Sequence, residues 1–162
     1  MQKIGFGGSC HWCTEAIFQA LAGVSEVQQG WIASAQPNDS FSEAVIIEFN
    51  PALIPLATLI EIHLYTHSCT SNHNMRSKYR SAIYYFSSEQ KIEASAVLIT
   101  LKTEFIAPII TKVLPFLQFK LNKEEYLNYY KSNPEKPFCE NYITPKLKLL
   151  LNRYAKYMRV IK

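Results

Sequence analysis

The 162-residue sequence predicts an α+β fold, a two-layer sandwich of helices on a mixed or antiparallel sheet with a ferredoxin-like core and an irregular C-terminal tail. Three observations lead there. Short stretches rich in Val and Ile interleave with longer ones of helical apolar spacing, in the order strand, helix, strand, strand, helix, strand, helix. A hydrophobic share of 48% over this length suits one core, so residues 1–162 are expected to form a single domain. The breaker-rich run Asn133-Pro134-Glu135-Lys136-Pro137 sets off the tail, 131–162.

Taken in order, Lys3 to Phe6 reads as a short strand, and Gly7-Gly8-Ser9 turns the chain toward a helix whose apolar spacing runs from Thr14 to Ala22 and stops at Gly23. Val24 to Ala33 and Glu43 to Phe49 read as strands, separated by a polar loop with Pro37, and Asn50-Pro51 closes the second. Pro55 opens a helix through Tyr65 with Leu56, Leu59, Ile60 and His63 on one face. The polar run His67 to Lys78 is expected to be an irregular loop able to carry site residues. Ser81 to Phe86 returns to a strand and Glu89 to Leu101 to a helix. Pro108 to Phe119 is apolar and of undecided type, and Lys123 to Tyr130 predicts a further helix. Pro134 and Pro137 then place Cys139 on an extended, mobile tail before a last helix, Pro145 to Tyr157.

Charge and composition remove several function classes. The net charge is +4, but its lysines gather between Lys120 and Lys162 without the dense Lys/Arg stripe of a nucleic-acid binder, so they read as a solvated tail. The first residues lack a charged region followed by a long apolar run, and no stretch reaches membrane-spanning length. A cytoplasmic, monomeric protein with no membrane or nucleic-acid partner is expected. In that compartment thiols stay reduced, which makes Cys10, Cys13, Cys69 and Cys139 candidates for chemistry before structural disulfides.

Cys10 falls where a strand hands over to a helix, so unpaired backbone N–H groups and the positive end of the helix dipole favour its thiolate. Cys10-His11-Trp12-Cys13 is also a C-x-x-C, a pattern of redox exchange or of half a metal site. Zinc would need His67, Cys69 or His73 as well, and His67-Ser68-Cys69 lacks the spacing of a second tight pair. No metal is expected, and no glycine-rich phosphate loop is visible.

The run Gly7-Gly8-Ser9-Cys10-His11-Trp12-Cys13-Thr14-Glu15-Ala16 resembles the Gly-Cys-Phe-Trp signature of the peptide methionine sulfoxide reductase A family. Ser42-Glu43-Ala44-Val45 is similar to the family's glutamate-bearing strand, Lys78-Tyr79-Arg80-Ser81 to its Gln-Tyr-Arg-Ser stretch, and Pro137-Phe138-Cys139 with Ile143-Thr144-Pro145-Lys146 to its tail. These pieces occur in the family's order and span nearly the whole chain. The resemblance implies that Cys10 is the nucleophile, Glu43 the acid, Tyr79 a donor to the substrate oxygen and Cys139 the resolving thiol, with Cys13 as an alternative resolver. It places His11, Trp12, Trp31 and Asn74 around the substrate. Three of these depart from the pattern: His11 stands for a phenylalanine, Trp31 for a tyrosine and Asn74 for an aspartate in a loop that is several residues shorter.

The implied activity is reduction of a methionine S-sulfoxide, free or in a protein, with thioredoxin or another dithiol as reductant and no further cofactor. Sulfoxide reduction needs a soft nucleophile for sulfur and a proton for the leaving oxygen, which Cys10 and Glu43 can supply. Two alternatives stay open on the residues alone: a C-x-x-C thiol-disulfide oxidoreductase that needs no Glu43, and a module that binds sulfoxide without turning it over.

Overall fold

A computed structural model describes residues 1–159, so residues 160–162 of the expected tail lie outside it. Six strands form one sheet: β1 (Gln2–Gly7), β2 (Val24–Ala33), β3 (Ser42–Phe49), β4 (Ala82–Tyr85), β5 (Lys112–Pro115) and β6 (Gln118–Leu121), in the order β5-β4-β1-β3-β2-β6. Every neighbouring pair is antiparallel except β4 with β5, so the sheet is mixed. The helices are α1 (His11–Gln19), α2 (Leu56–Tyr65), α3 (Ser88–Leu101), α4 (Tyr129–Ser132) and α5 (Thr144–Arg153). The α+β class is as expected.

Strand alternation sorts the core. On β3, Val45, Ile47 and Phe49 join Ile4 and Phe6 of β1 under Ile17 and Phe18 of α1 and Leu59 and Ile60 of α2, all essentially inaccessible to water. Ala44 and Ile46 face the other way, into a smaller cluster with Ile32 and Tyr84 covered by Phe116 and Phe119. Glu43 shares the parity of Val45 and therefore lies on the helix-covered face, a placement that decides its chemistry.

Several expectations need correction. Helix α1 starts at His11 and ends at Gln19, which puts Cys10 directly at the N-cap and leaves Gly23 beyond the helix. The apolar run of undecided type is the two edge strands β5 and β6. The expected helix Lys123–Tyr130 is instead a 3-10 turn, Glu124–Tyr126, and the short α4, with Asn128 between them at φ 55. That left-handed residue is locally held: the Glu15 carboxylate accepts the Asn128 and Tyr129 N–H groups at 3.0 Å each, and Gln19 donates to Asn128 Oδ1 at 2.8 Å.

Cys139 is the largest correction. It begins a π-helical turn, Cys139–Ile143, that leads into α5, and it is wholly buried against Cys13, Ala16 and Ile143. Pro137 breaks nothing there, because it stands in a first helical turn, where a missing N–H has no intrahelical acceptor to lose, and Pro145 follows the π-helical turn directly within the start of α5. The apolar side chains of Phe138, Ile143, Leu147 and Leu150 then draw the segment onto α1 and the core, so the tail is mostly helical.

Candidate active site

Cys10 follows the last residues of central strand β1, after a turn through Gly8 at φ 147. A Cβ at Gly8 would stand 2.5 Å from the His67 ring, so this turn requires glycine on both conformational and steric grounds. The Cys10 carbonyl accepts the Cys13 and Thr14 N–H groups at 3.0 and 3.2 Å and so opens α1. Its half-buried thiol stands beside that of Cys13. Interaction with the Cys13 thiol, together with burial, pushes the Cys10 thiol up, whereas the same interaction pulls Cys13 down. The two thiols are therefore coupled, with deprotonation opposed at Cys10 and eased at Cys13.

Glu43 meets the same helix start from the sheet. Its Oε1 accepts the His11 backbone N–H at 3.2 Å and lies 3.1 Å from His11 Nδ1, while Oε2 is 3.7 Å from Lys78 Nζ. Burial raises its pKa, with the His11 N–H and Lys78 pulling the other way, so the carboxyl holds a proton more readily than an exposed glutamate. Ligand atoms of Cys10, His11 and Glu43 all lie within 4.8 Å of one another, and among the described residues they form the group that could jointly hold a metal ion.

Around this pair lies a cavity of about 560 Å³. Trp31 pairs directly with Glu43 across β2 and β3, so both side chains project from one face, and its ring meets His11 edge-on at 5.1 Å. Tyr79 lines this cavity and a second one of about 710 Å³, the two meeting at Cys10 and Phe138. Ser42 brings Tyr79 in by accepting the Arg80 N–H at 2.7 Å and donating to the Lys78 carbonyl at 2.9 Å. Trp12 forms an aromatic wall with Tyr129 stacked on it at 4.0 Å and Phe138 edge-on at 5.5 Å.

Eight of the nine expected site residues therefore converge: Cys10, His11, Trp12, Trp31, Glu43 and Tyr79 line the first cavity, and Cys13 and Cys139 pack beside Cys10. Asn74 does not join them. It is exposed and lines neither cavity, although its neighbours His73 and Met75 line the second.

Two positioning residues escaped sequence reasoning. Glu15, 1% exposed, fixes the turn that lays Tyr129 on Trp12, and only its place in a helix otherwise turned to the core hinted at a buried partner. Arg76 donates to the carbonyls of Gly8 at 2.7 Å, Tyr79 at 2.9 Å and Ser71 at 2.9 Å, tying the 67–79 loop to the turn before Cys10. Nothing in the local sequence distinguishes it from a solvated loop arginine.

A thiol at the head of a helix, set against a buried carboxyl in an aromatic cavity of an α+β fold, defines a cysteine-dependent enzyme. A family model described as "Peptide methionine sulfoxide reductase" matches residues 2–158, and the chain belongs to that family. It is 32% identical over 176 aligned residues to the peptide methionine sulfoxide reductase MsrA of Acinetobacter baumannii, covering 100% of this chain and 99% of that one. To the protein of the same name from Thermus thermophilus it is 34% identical, covering 94% of each. Among solved structures, Mxr1 from Saccharomyces cerevisiae in reduced form superposes with a TM-score of 0.75 at 19% identity over 85% of this chain and 88% of that one. Mxr1 in complex with Trx2 gives 0.63 at 19%, over 76% and 81%. These two share the fold.

Proposed function

We propose that the chain reduces methionine S-sulfoxide to methionine with Cys10 as nucleophile and Glu43 as acid. The observation that carries this reading is the closeness of that thiol and that carboxyl, within 4.8 Å in a cavity with aromatic walls. Cys10 Sγ attacks the sulfoxide sulfur while Glu43 protonates the oxygen, and the thioether leaves as the S–O bond passes to Cys10 as a sulfenic acid. Cys13, whose thiol is pulled down beside Cys10, receives the Cys10 proton as the sulfur attacks. Tyr79 and the Trp31 indole N–H border the space the oxygen would occupy, and Trp12 with Phe138 supports the apolar substituent.

A second thiol then condenses with the sulfenic acid and releases water. Cys13 is in thiol contact with Cys10, whereas Cys139 is buried behind Cys13 and reaches Cys10 only if the 139–143 turn shifts. Two electrons from an external dithiol restore the thiols by exchange. Thioredoxin fits that role: the yeast neighbour is known in complex with Trx2, and Cys10 is the partly exposed sulfur of the three. In this reading the chain acts as one domain and a monomer in the reducing cytoplasm, with no added cofactor and no nucleic-acid partner. Among the described residues no helix is long and apolar enough to cross a membrane.

Turnover of resolved R and S sulfoxides, free and within a peptide, with dithiothreitol as reductant tests the proposal. Reduction confined to the S form and lost in Cys10→Ser supports it. Equal turnover of both forms, or activity surviving without Cys10, rejects it.

A further inference from the structure

His11 has a geometry that its hydrogen bonds do not explain. The residue is 5% exposed, and Nδ1 has no hydrogen-bond partner, although Glu43 Oε1 lies 3.1 Å away off the bonding direction. Nδ1 thus faces the same space as the Cys10 thiol and the Glu43 carboxyl, offering sulfur, nitrogen and oxygen in one cluster. A phenylalanine, which the family signature carries at this position, would offer no third donor. The donor set is therefore a property of this chain.

We infer that Cys10 Sγ, His11 Nδ1 and Glu43 form a three-ligand site for Zn²⁺ that blocks the enzyme when filled, with the fourth position open to the cavity. Thiolate, imidazole and carboxylate together suit a borderline-soft ion such as zinc better than magnesium or calcium. Tetrahedral zinc with bonds of about 2.0–2.3 Å holds its ligand atoms roughly 3.3–3.6 Å apart. The nitrogen and carboxylate already stand 3.1 Å apart, and the cluster's 4.8 Å limit leaves about 1 Å for the thiol to close by side-chain rotation.

Binding rearranges three neighbours. Cys10 gives up its thiol proton to solvent as the Zn–S bond forms. Nδ1 coordinates as the unprotonated nitrogen, so the ring proton sits on Nε2, and the Asn122 side-chain nitrogen, 3.5 Å from Nε2, keeps its bond to Gln29 Oε1 at 2.6 Å and draws back from the ring. Lys78, whose side chain is 56% exposed, swings from Glu43 into water. The ion is an inhibitor and not a cofactor, because it occupies the nucleophile and the acid at once. Its binding is measured without turnover, so failure here and failure of the reductase reading are separable.

The test is zinc titration of the reduced chain against a chromogenic chelator, together with X-ray absorption of the zinc-loaded wild type. One zinc per chain is expected, with affinity lowered more than about tenfold in Cys10→Ser, His11→Phe and Glu43→Gln, since changes outside the ligand set already reach that size. Cys69→Ser and His73→Asn should bind as wild type. The absorption spectrum should show one sulfur with an imidazole, a readout that needs no variant to fold. Two sulfurs per zinc, or Cys13→Ser losing binding while His11→Phe keeps it, would assign the metal to the two thiols and overturn the site. Absence of binding at micromolar zinc overturns it as well.

Discussion

Removing the Glu15 carboxylate should loosen the aromatic wall of the site from a distance. Its two oxygens accept the N–H groups of Asn128 and Tyr129, each at 3.0 Å, from a side chain 1% exposed. Hydrogen bonds to a charged acceptor contribute about 1.5–3 kcal/mol each. The cost of burying the charge offsets part of the sum, as the raised pKa of Glu15 reflects. Glu15→Ala should therefore lose about 2–4 kcal/mol, and Glu15→Gln, which keeps one acceptor, about 1–2 kcal/mol. Urea unfolding at neutral pH reads this as a midpoint lowered by roughly 1–2 M for the alanine variant. Because the folded pKa is raised above the unfolded value, wild type should also gain on Glu15→Gln as pH falls through that range. The same variants free Tyr129 from Trp12, so KM for a peptide sulfoxide should rise more than kcat falls. Stability within 1 kcal/mol of wild type together with an unchanged KM would refute the role given to Glu15.

Gly30→Ala should cost about 2–4 kcal/mol and raise KM, because a Cβ there would lie 2.0 Å from the Lys120 carbonyl and force β6, which carries part of the cavity wall, away from β2. Thermal unfolding and initial rates check it, and an unshifted Tm would count against the register. Burial lowers the His67 pKa from 6.5 to about 4, so the folded state resists a proton that the unfolded chain accepts. Stability should fall as pH drops from 6.5 toward 4, by about 3 kcal/mol from this group. Comparison with His67→Gln isolates it from Glu15 and Glu43, whose raised values act in the opposite direction. After one turnover without reductant, peptide mapping should find a Cys10–Cys13 disulfide in wild type and in Cys139→Ser. A Cys10–Cys139 bond as the sole product would make the 139–143 turn mobile enough to displace Cys13 as the first resolver.

Much of the fold was legible because turn and capping residues mark its elements: Gly23 precedes β2, Asn50-Pro51 closes β3, Pro55 opens α2 and Ser87 caps α3. Proline misled at one place: Pro137 read as a break, yet it starts the helical turns that burial of Phe138, Ile143 and Leu150 draws against α1. Asn128 was opaque for the opposite reason, since its conformation depends on Glu15, 113 positions away in the chain. Motif order singled out Cys10, Glu43 and Tyr79 as candidates, Trp31 being a departure from the pattern, and the sheet register explains why Glu43 and Trp31 stand side by side. The hold of Arg76 on Gly8 and Tyr79 is a tertiary fact that no local pattern carries.

Rapid mixing of reduced enzyme with one equivalent of S-sulfoxide, followed by counting of remaining thiols, isolates the chemical step from recycling. Glu43→Gln keeps the shape and loses the transferable proton, so its rate should fall by about 10²–10⁴-fold while substrate still binds. A Glu43→Gln rate within about threefold of wild type, well inside what acid catalysis contributes, would mean that the oxygen takes its proton elsewhere and that the buried carboxyl facing Cys10 is not the acid.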